Sequence, residues 1–372
     1  MTTLAVIGAS YLQRPLVEKA KEMGLYVICF AWRDGAVCAD LADEFYPISI
    51  VEKEQILSVC QKKQINGICT IASDVAAPTV AYVAERMGLP GNPYEAAVRA
   101  NNKYLMREAF TKAGVPCPYY HMVSDTAEIK EINNLEYPLI VKPSDRSGSL
   151  GVMLVNNEGQ LATAVESALS FSFKHQAMVE EYISGREISV EFISYKGTHY
   201  PLTITDKVTT GAPHFVELEH HQPAQLSKEQ YTEIYAITRK ALDSLGITDG
   251  ASHSEYKITD KGRICIMEIG ARMGGDFIGS DLVLLSTGYD FVRGVIEVAL
   301  GEFMAPILTD GKCSGVYFLC KETQQVKNYL VNTFGFPQIV KAELTDSEIR
   351  SVKCSADRSG YMIYQSHTKW QI

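Results

Sequence analysis

The chain has 372 residues, 46% hydrophobic and 21% charged, which is too long for one ordinary core and suits a folded protein of two or three domains. A net charge of −9 with no long Lys/Arg run argues against nucleic acid as the main partner, because no broad basic surface is available to displace counterions. No apolar run reaches the ~20 residues that span a bilayer, and the start, MTTLAVIGAS, lacks the charged region of a signal peptide, so no membrane partner is expected.

Leu4 to Ile7 reads as a strand ending in Gly8-Ala9-Ser10, followed by a helical pattern through Leu16, Ala20 and Met23. Strands at 26–30, 45–48 and 67–71 alternate with helices around 56–60 and at 76–87. Such alternation predicts an open parallel α/β sheet. The Gly8 turn is no GxGxxG; a tight βα turn explains it better than a dinucleotide site. Pro90-Gly91-Asn92-Pro93 punctuates the chain as a domain joint. A helix is expected from 94 to 113, carrying Lys103. Beyond Pro116 the pattern becomes α+β. Strands are expected at 137–141, 152–155, 178–183 and 187–194, and helices at 158–169, 231–245 and 291–300. A β-hairpin is expected over 250–270. The domains are then 1–93, 94–305 and a small module at 306–372.

The nine cysteines are scattered with no CxxC. They read as small buried hydrophobes in a reducing, cytoplasmic compartment.

The hairpin carries the chemistry. Glu255 and Glu268 sit in two β-rich runs around the turn Thr259-Asp260-Lys261-Gly262, so pairing would place their carboxylates side by side. Two like charges that close need a cation or a proton between them. Mg²⁺ suits hard oxygen ligands and takes one or two carboxylates plus substrate phosphates. Arg272 follows where a fixed cation could meet those phosphates. Lys142-Pro143 ends a strand and precedes the small-residue loop SDRSGSLG, a good setting for nucleotide phosphates. Glu180-Glu181-Tyr182-Ile183, then Gly185 and Glu187, could meet an adenine amino group and ribose hydroxyls in an apolar crevice.

The order Lys103, Lys142-Pro, Gly/Ser loop, EEYIxGxE, Glu255, Glu268-x-x-x-Arg272 resembles the ATP-grasp superfamily of carboxylate–amine ligases. The resemblance implies an ATP-grasp fold with an N-terminal Rossmann-like domain. It also implies that Lys103 and Lys142 contact ATP phosphates, under a mobile loop including Ser147, Gly148, Ser149 and Gly151. Glu180, Glu181 and Ile183 would serve adenine, and Glu187 the ribose. Glu255 and Glu268 would hold Mg²⁺, with Mn²⁺ able to substitute. Arg272, with Lys142, would stabilise the transferring phosphoryl group. Many members read E-x-N-x-R, whereas this chain has Gly270 in place of the Asn, which bears on the number of metal ions.

Lys207 to Leu226 and Gly270 to Val283 look like the L-amino-acid ligase branch, the dipeptide-synthetase or carnosine-synthase-like enzymes. That likeness places His214, Glu217, Gly274, Gly275 and Asp276 near the substrates, a small-molecule acid and an amine, in a possible homodimer. His220 and His221, with His214 and Glu217, read equally as acceptor-pocket residues or as part of a polar loop, and His253 as a neighbour of the metal site or a strand-surface residue. The loop at 147–151 and residues 207–215 are the candidate lids. The expected reaction forms an amide or peptide bond through an acyl-phosphate. The rival readings are a carboxylating or ribonucleotide-directed enzyme of purine or biotin type, and an ATP-binding protein without catalysis.

Overall fold

The computed structural model describes the chain from Met1 to Ile372 apart from residues 134, 147–149 and 213. A four-stranded parallel sheet opens it, in the order Glu44–Tyr46, Tyr26–Phe30, Thr3–Ile7, Gly67–Cys69. Leu4, Val6, Val27 and Cys29 face the helices Arg14–Glu22 and Phe291–Leu300. Ala5, Ile7, Ile28 and Phe30 face the helices Lys53–Lys63 and Ala77–Met87. Burial on both faces explains why these strands are continuous apolar runs. The helix Phe291–Leu300 also packs on Ile193 and Ala251 of a second sheet, so one core links the N-terminal sheet to the rest of the molecule.

That second sheet has eight antiparallel strands. Their order is Ile264–Gly270, Gly250–Ile258, Arg186–Tyr195, Thr198–Thr209, Glu217–Gln222, Cys313–Leu319, Gly360–Ser366, Ile339–Leu344. The strands after Pro306 therefore continue the sheet that carries the hairpin. A smaller antiparallel sheet, Tyr120–Val123, Ala177–Glu181, Leu139–Pro143, Met153–Val155, stands apart under the helix Glu158–Phe171. This mixed parallel and antiparallel architecture matches the expected fold class. No helix among the described residues is long and apolar enough to cross a membrane.

Two expectations are corrected. The single helix at 94–113 is two, Tyr94–Ala100 and Lys103–Ala113. Asn102 breaks it and caps the second helix, its side chain accepting from the Leu105 N–H at 3.0 Å. Such a cap satisfies an otherwise orphaned helix donor. It also sets Lys103 in the first turn, its backbone N–H donating to the Ser144 carbonyl at 2.9 Å. The supposed lid at 207–215 begins inside a strand: Lys207 lies in Thr198–Thr209, with its side chain 6% exposed. The run of Thr, Asp, Lys and His around it is polar, and it is ordered by ladder hydrogen bonds to Arg186–Tyr195 and Glu217–Gln222.

Candidate active site

A cavity of about 360 Å³ lies between the small and large antiparallel sheets, with Asp74 reaching it from the N-terminal sheet. Lys142 and Glu180 line it from the small sheet, Lys207, Glu255 and Glu268 from the large one, and Lys103 from its helix. Glu255 and Glu268 are direct cross-strand partners, with a register shift just beyond Glu255. Facing carboxylates in an antiparallel pair repel unless counter-charged. Here each carries a lysine: Lys207 Nζ lies 2.7 Å from Glu255 Oε1, and Lys103 Nζ lies 2.9 Å from Glu268 Oε1.

The same pairing runs through the rest of the cavity. Lys142 Nζ is 2.5 Å from Glu180 Oε2, and Arg272 donates from Nε and Nη2 to Asp74 Oδ1 and Oδ2 at 2.8 and 2.7 Å. Burial disfavours the Lys207 ammonium, yet Glu255 and Glu217 outweigh it and hold its pKa above the ordinary range. Lys207 in turn, with His253, holds the Glu255 carboxyl well below its usual value. Lys142 goes the other way: burial lowers its pKa, and Arg107 and Lys103 add to this against the pull of Glu180.

Arg107, which sequence reasoning missed, is fully buried with Nε 3.0 Å from Glu180 Oε1. An arginine between the buried Met106 and Phe110, on the inner face of its helix, was the signal available. Among the described atoms its guanidinium makes no well-aligned hydrogen bond, so it acts on Glu180 as a buried charge. Burial raises the Glu180 pKa, but Arg107 and Lys142 prevail and leave it lowered.

At one end of the cavity, Tyr182, Ile183, Glu187, Ile140 and Met267 form a partly apolar wall. Gly185 fixes the turn there: its φ is +153°, and a Cβ would stand 2.1 Å from the Ile258 carbonyl oxygen. The EEYIxG turn can therefore seat against the hairpin only with glycine at this position. Glu187 pairs with Lys257 at 3.1 Å. The Glu181 side chain turns away to Arg263, 2.6 Å distant.

At the other end stand Arg272, Gly270 and His253. His253 Nδ1 bonds the fully buried Glu191, and its pKa, lowered by burial but raised more by Glu191, is pushed up to about 9. Glu191 also accepts from the Gly274 N–H at 3.1 Å. It therefore ties the strand carrying Glu255 to the glycine-rich segment carrying Arg272. Glu191 carried no motif signal in the sequence.

The substrate candidates divide. Glu217 lines the cavity; His214 is exposed on a turn, and Gly274, Gly275 and Asp276 lie outside the cavity wall. Asp276 is held by Arg358, which donates twice at 2.8 Å, with His220 4.0 Å away. Asp276 therefore sits in an ion pair with the segment that precedes the strand Gly360–Ser366. His220 and His221 are buried in the strand Glu217–Gln222, and His221 bonds Tyr364 and Glu219. Ser147, Gly148 and Ser149 lie outside the described residues. Gly151 packs near Pro143 and Phe171, while its neighbours Leu150 and Val152 line the cavity.

Two carboxylates, paired across a hairpin and already counter-charged by lysines, are a donor set that suits Mg²⁺ or Mn²⁺ shared with phosphate oxygens. No group of three or more protein ligands is present among the described residues, so this set would hold a metal together with its phosphates rather than alone.

Residues 135–281 match the family model described as the ATP-grasp domain. The chain is 29% identical over 285 residues to the alanine–anticapsin ligase of Bacillus subtilis (strain 168), covering 70% of this chain and 57% of that ligase. It thus spans less than two thirds of the length of that ligase. It superposes on the L-amino acid ligase of Bacillus licheniformis with a TM-score of 0.81 at 24% identity, over 99% of this chain and 94% of that one. It does so on the N5-carboxyaminoimidazole synthetase of Staphylococcus aureus, complexed with ADP, with a TM-score of 0.80 at 18% identity over the same shares. Residues 135–281 thus match the ATP-grasp domain, and the chain as a whole shares the fold of these two enzymes.

Proposed function

We propose that the cavity binds Mg·ATP and that the protein is a carboxylate–amine ligase working through an acyl-phosphate. The observation that carries this is the self-neutralised charge array, in which Lys103, Lys142, Lys207 and Arg272 each rest on a carboxylate. A metal–triphosphate supplies both halves of an exchange: a cation for Glu255 and Glu268, and anions for the lysines. Mg²⁺ held by those two carboxylates would offset charge on the phosphates.

The chain's own groups then have distinct tasks. Lys103 and Lys142 hold phosphate oxygens. Glu180, kept ionised by Arg107 when Lys142 swings to phosphate, accepts from the adenine amino group. Ile183 offers its backbone to the adenine, and Glu187 takes the ribose. The substrate carboxylate attacks the γ-phosphate, ADP leaves, and an amine displaces phosphate from the acyl carbon. Arg272 presents a rigid fork of donors to the oxygens that gain charge in these steps. The acyl-phosphate survives only where water is excluded.

The acid and the amine admit two readings. Sequence relatives named as alanine–anticapsin and D-alanine–D-alanine ligases support an amino acid as one substrate. Seven solved structures that share the fold carry carboxylating or ribonucleotide-directed names, and these weigh toward bicarbonate or a ribonucleotide substrate. Phosphate release from Mg·ATP, measured with amino acids in pairs and separately with bicarbonate, decides between them. Release with neither, while ATP still binds, would make the protein a non-catalytic ATP binder.

A further inference from the structure

Gly270 stands where the E-x-N-x-R pattern has a side chain, and the structure gives a reason. A Cβ on Gly270 would lie 2.5 Å from Asp74 Oδ1, 3.0 Å from Arg272 Cζ and 3.1 Å from Arg272 Nε. The space a side chain would enter is filled by the Asp74–Arg272 pair. Asp74 belongs to the turn after the strand Gly67–Cys69, 198 residues from its partner. Two residues earlier, Ala72 adopts a φ of +56°, rare for a residue with a Cβ, and donates its N–H to the Met273 carbonyl at 3.2 Å. Backbone in that region persists only where its surroundings demand it. The turn is thus fastened to the 270–275 segment by a main-chain bond and a two-point ion pair.

We propose that Asp74 is a positioning residue for Arg272. It grips the Nε–Nη2 edge of the guanidinium in the volume that a side chain at 270 would take. Both residues line the cavity, and Nη1 reaches the Met273 carbonyl at 3.4 Å. The N-terminal sheet, rather than the strand Ile264–Gly270, then sets the aim of the arginine. The glycine departure and the acid on a distant turn are two halves of one arrangement. What Arg272 does once aimed rests on the ligase reading; the aiming does not.

The test uses the full chain. The Arg272 Nε–H resonance, assigned by its loss in Arg272→Lys, should be protected from solvent exchange in the parent protein. Asp74→Asn should remove that protection. It should also lower kcat about tenfold or more while leaving the KM for ATP within about threefold, since a misaimed donor acts on the transition state. The double variant Asp74→Asn/Arg272→Lys should be no slower than Arg272→Lys alone. Should Asp74→Asn fail to fold, Gly270→Ala disturbs the pair from the opposite side and should give the same loss of protection. An unchanged Nε–H signal in both variants, or losses that multiply in the double variant, would overturn the proposal. If no acid and amine support phosphate release, the ligase reading fails while the resonance still decides whether Asp74 aims Arg272.

Discussion

Replacing Lys142 with Ala separates two effects that the structure sets against each other. Lys142 Nζ sits 2.5 Å from Glu180 Oε2, and Arg107 holds the other oxygen from 3.0 Å. Breaking a buried ion pair outright costs about 3–5 kcal/mol, because it strands a charge. Glu180 is not stranded here, since Arg107 remains. Removing Lys142 also relieves a buried ammonium whose pKa is already depressed by burial and by Arg107. The stability loss should therefore fall to about 1–2 kcal/mol, the scale of one lost hydrogen bond and some packing.

The effect on nucleotide binding is larger. A hydrogen bond to a charged group contributes about 1.5–3 kcal/mol, or roughly 10–150-fold in affinity. Because Lys142 must leave Glu180 to reach phosphate, the lower end of that range, about 10–30-fold, is expected. Calorimetric titration with a non-hydrolysable ATP analogue and Mg²⁺ measures it. Adenosine, lacking phosphates, should bind parent and variant alike. Equal weakening of adenosine and the ATP analogue would show Lys142 acting through Glu180, and unchanged affinity for both would refute the phosphate contact.

A pH series sharpens the point. A lysine with a lowered pKa loses its proton earlier as pH rises, so affinity should fall on the alkaline side. In Lys142→Arg, which stays charged, that fall should be absent.

Glu268→Gln should cost more turnover than Glu255→Gln, because with Gly270 offering no oxygen Glu268 would be the carboxylate left to serve a second metal ion; Mg²⁺ titration of the rate in both variants checks this, and the reverse order would contradict it. Burial pushes the Cys60 and Cys69 thiols up to about 12, whereas Cys354 is exposed. Alkylation of the folded protein near pH 8, mapped by mass spectrometry, should mark Cys354 and spare the other two until unfolding; early labelling of Cys60 or Cys69 would refute the burial argument.

What was legible in the sequence followed from local spacing. The hairpin pairs Glu255 with Glu268 because its runs and its turn are contiguous, and the strands Leu139–Pro143 and Arg186–Tyr195 declared themselves as apolar runs. The strands Thr198–Thr209 and Glu217–Gln222 escaped notice because their polar residues find partners inside the sheet. His221 bonds Tyr364, and Asp206 pairs with Arg186. No local pattern announces such partners. The same holds within the cavity. Lys207 meets Glu255 across 48 residues, and Asp74 meets Arg272 across 198. Only the packing of the N-terminal sheet on the helix Phe291–Leu300 and the large sheet brings the second pair together. The departure at Gly270 was visible as a missing ligand, but its cause lay in the fold.

The central claim is that a substrate carboxylate attacks the γ-phosphate of ATP in this cavity. The most direct measurement follows oxygen. With the acid that supports turnover labelled in its carboxylate with ¹⁸O, the account predicts one ¹⁸O atom in each phosphate released, transferred when the acyl-phosphate forms and breaks. Released phosphate that carries no ¹⁸O, alongside product formation at an undiminished rate, would contradict it.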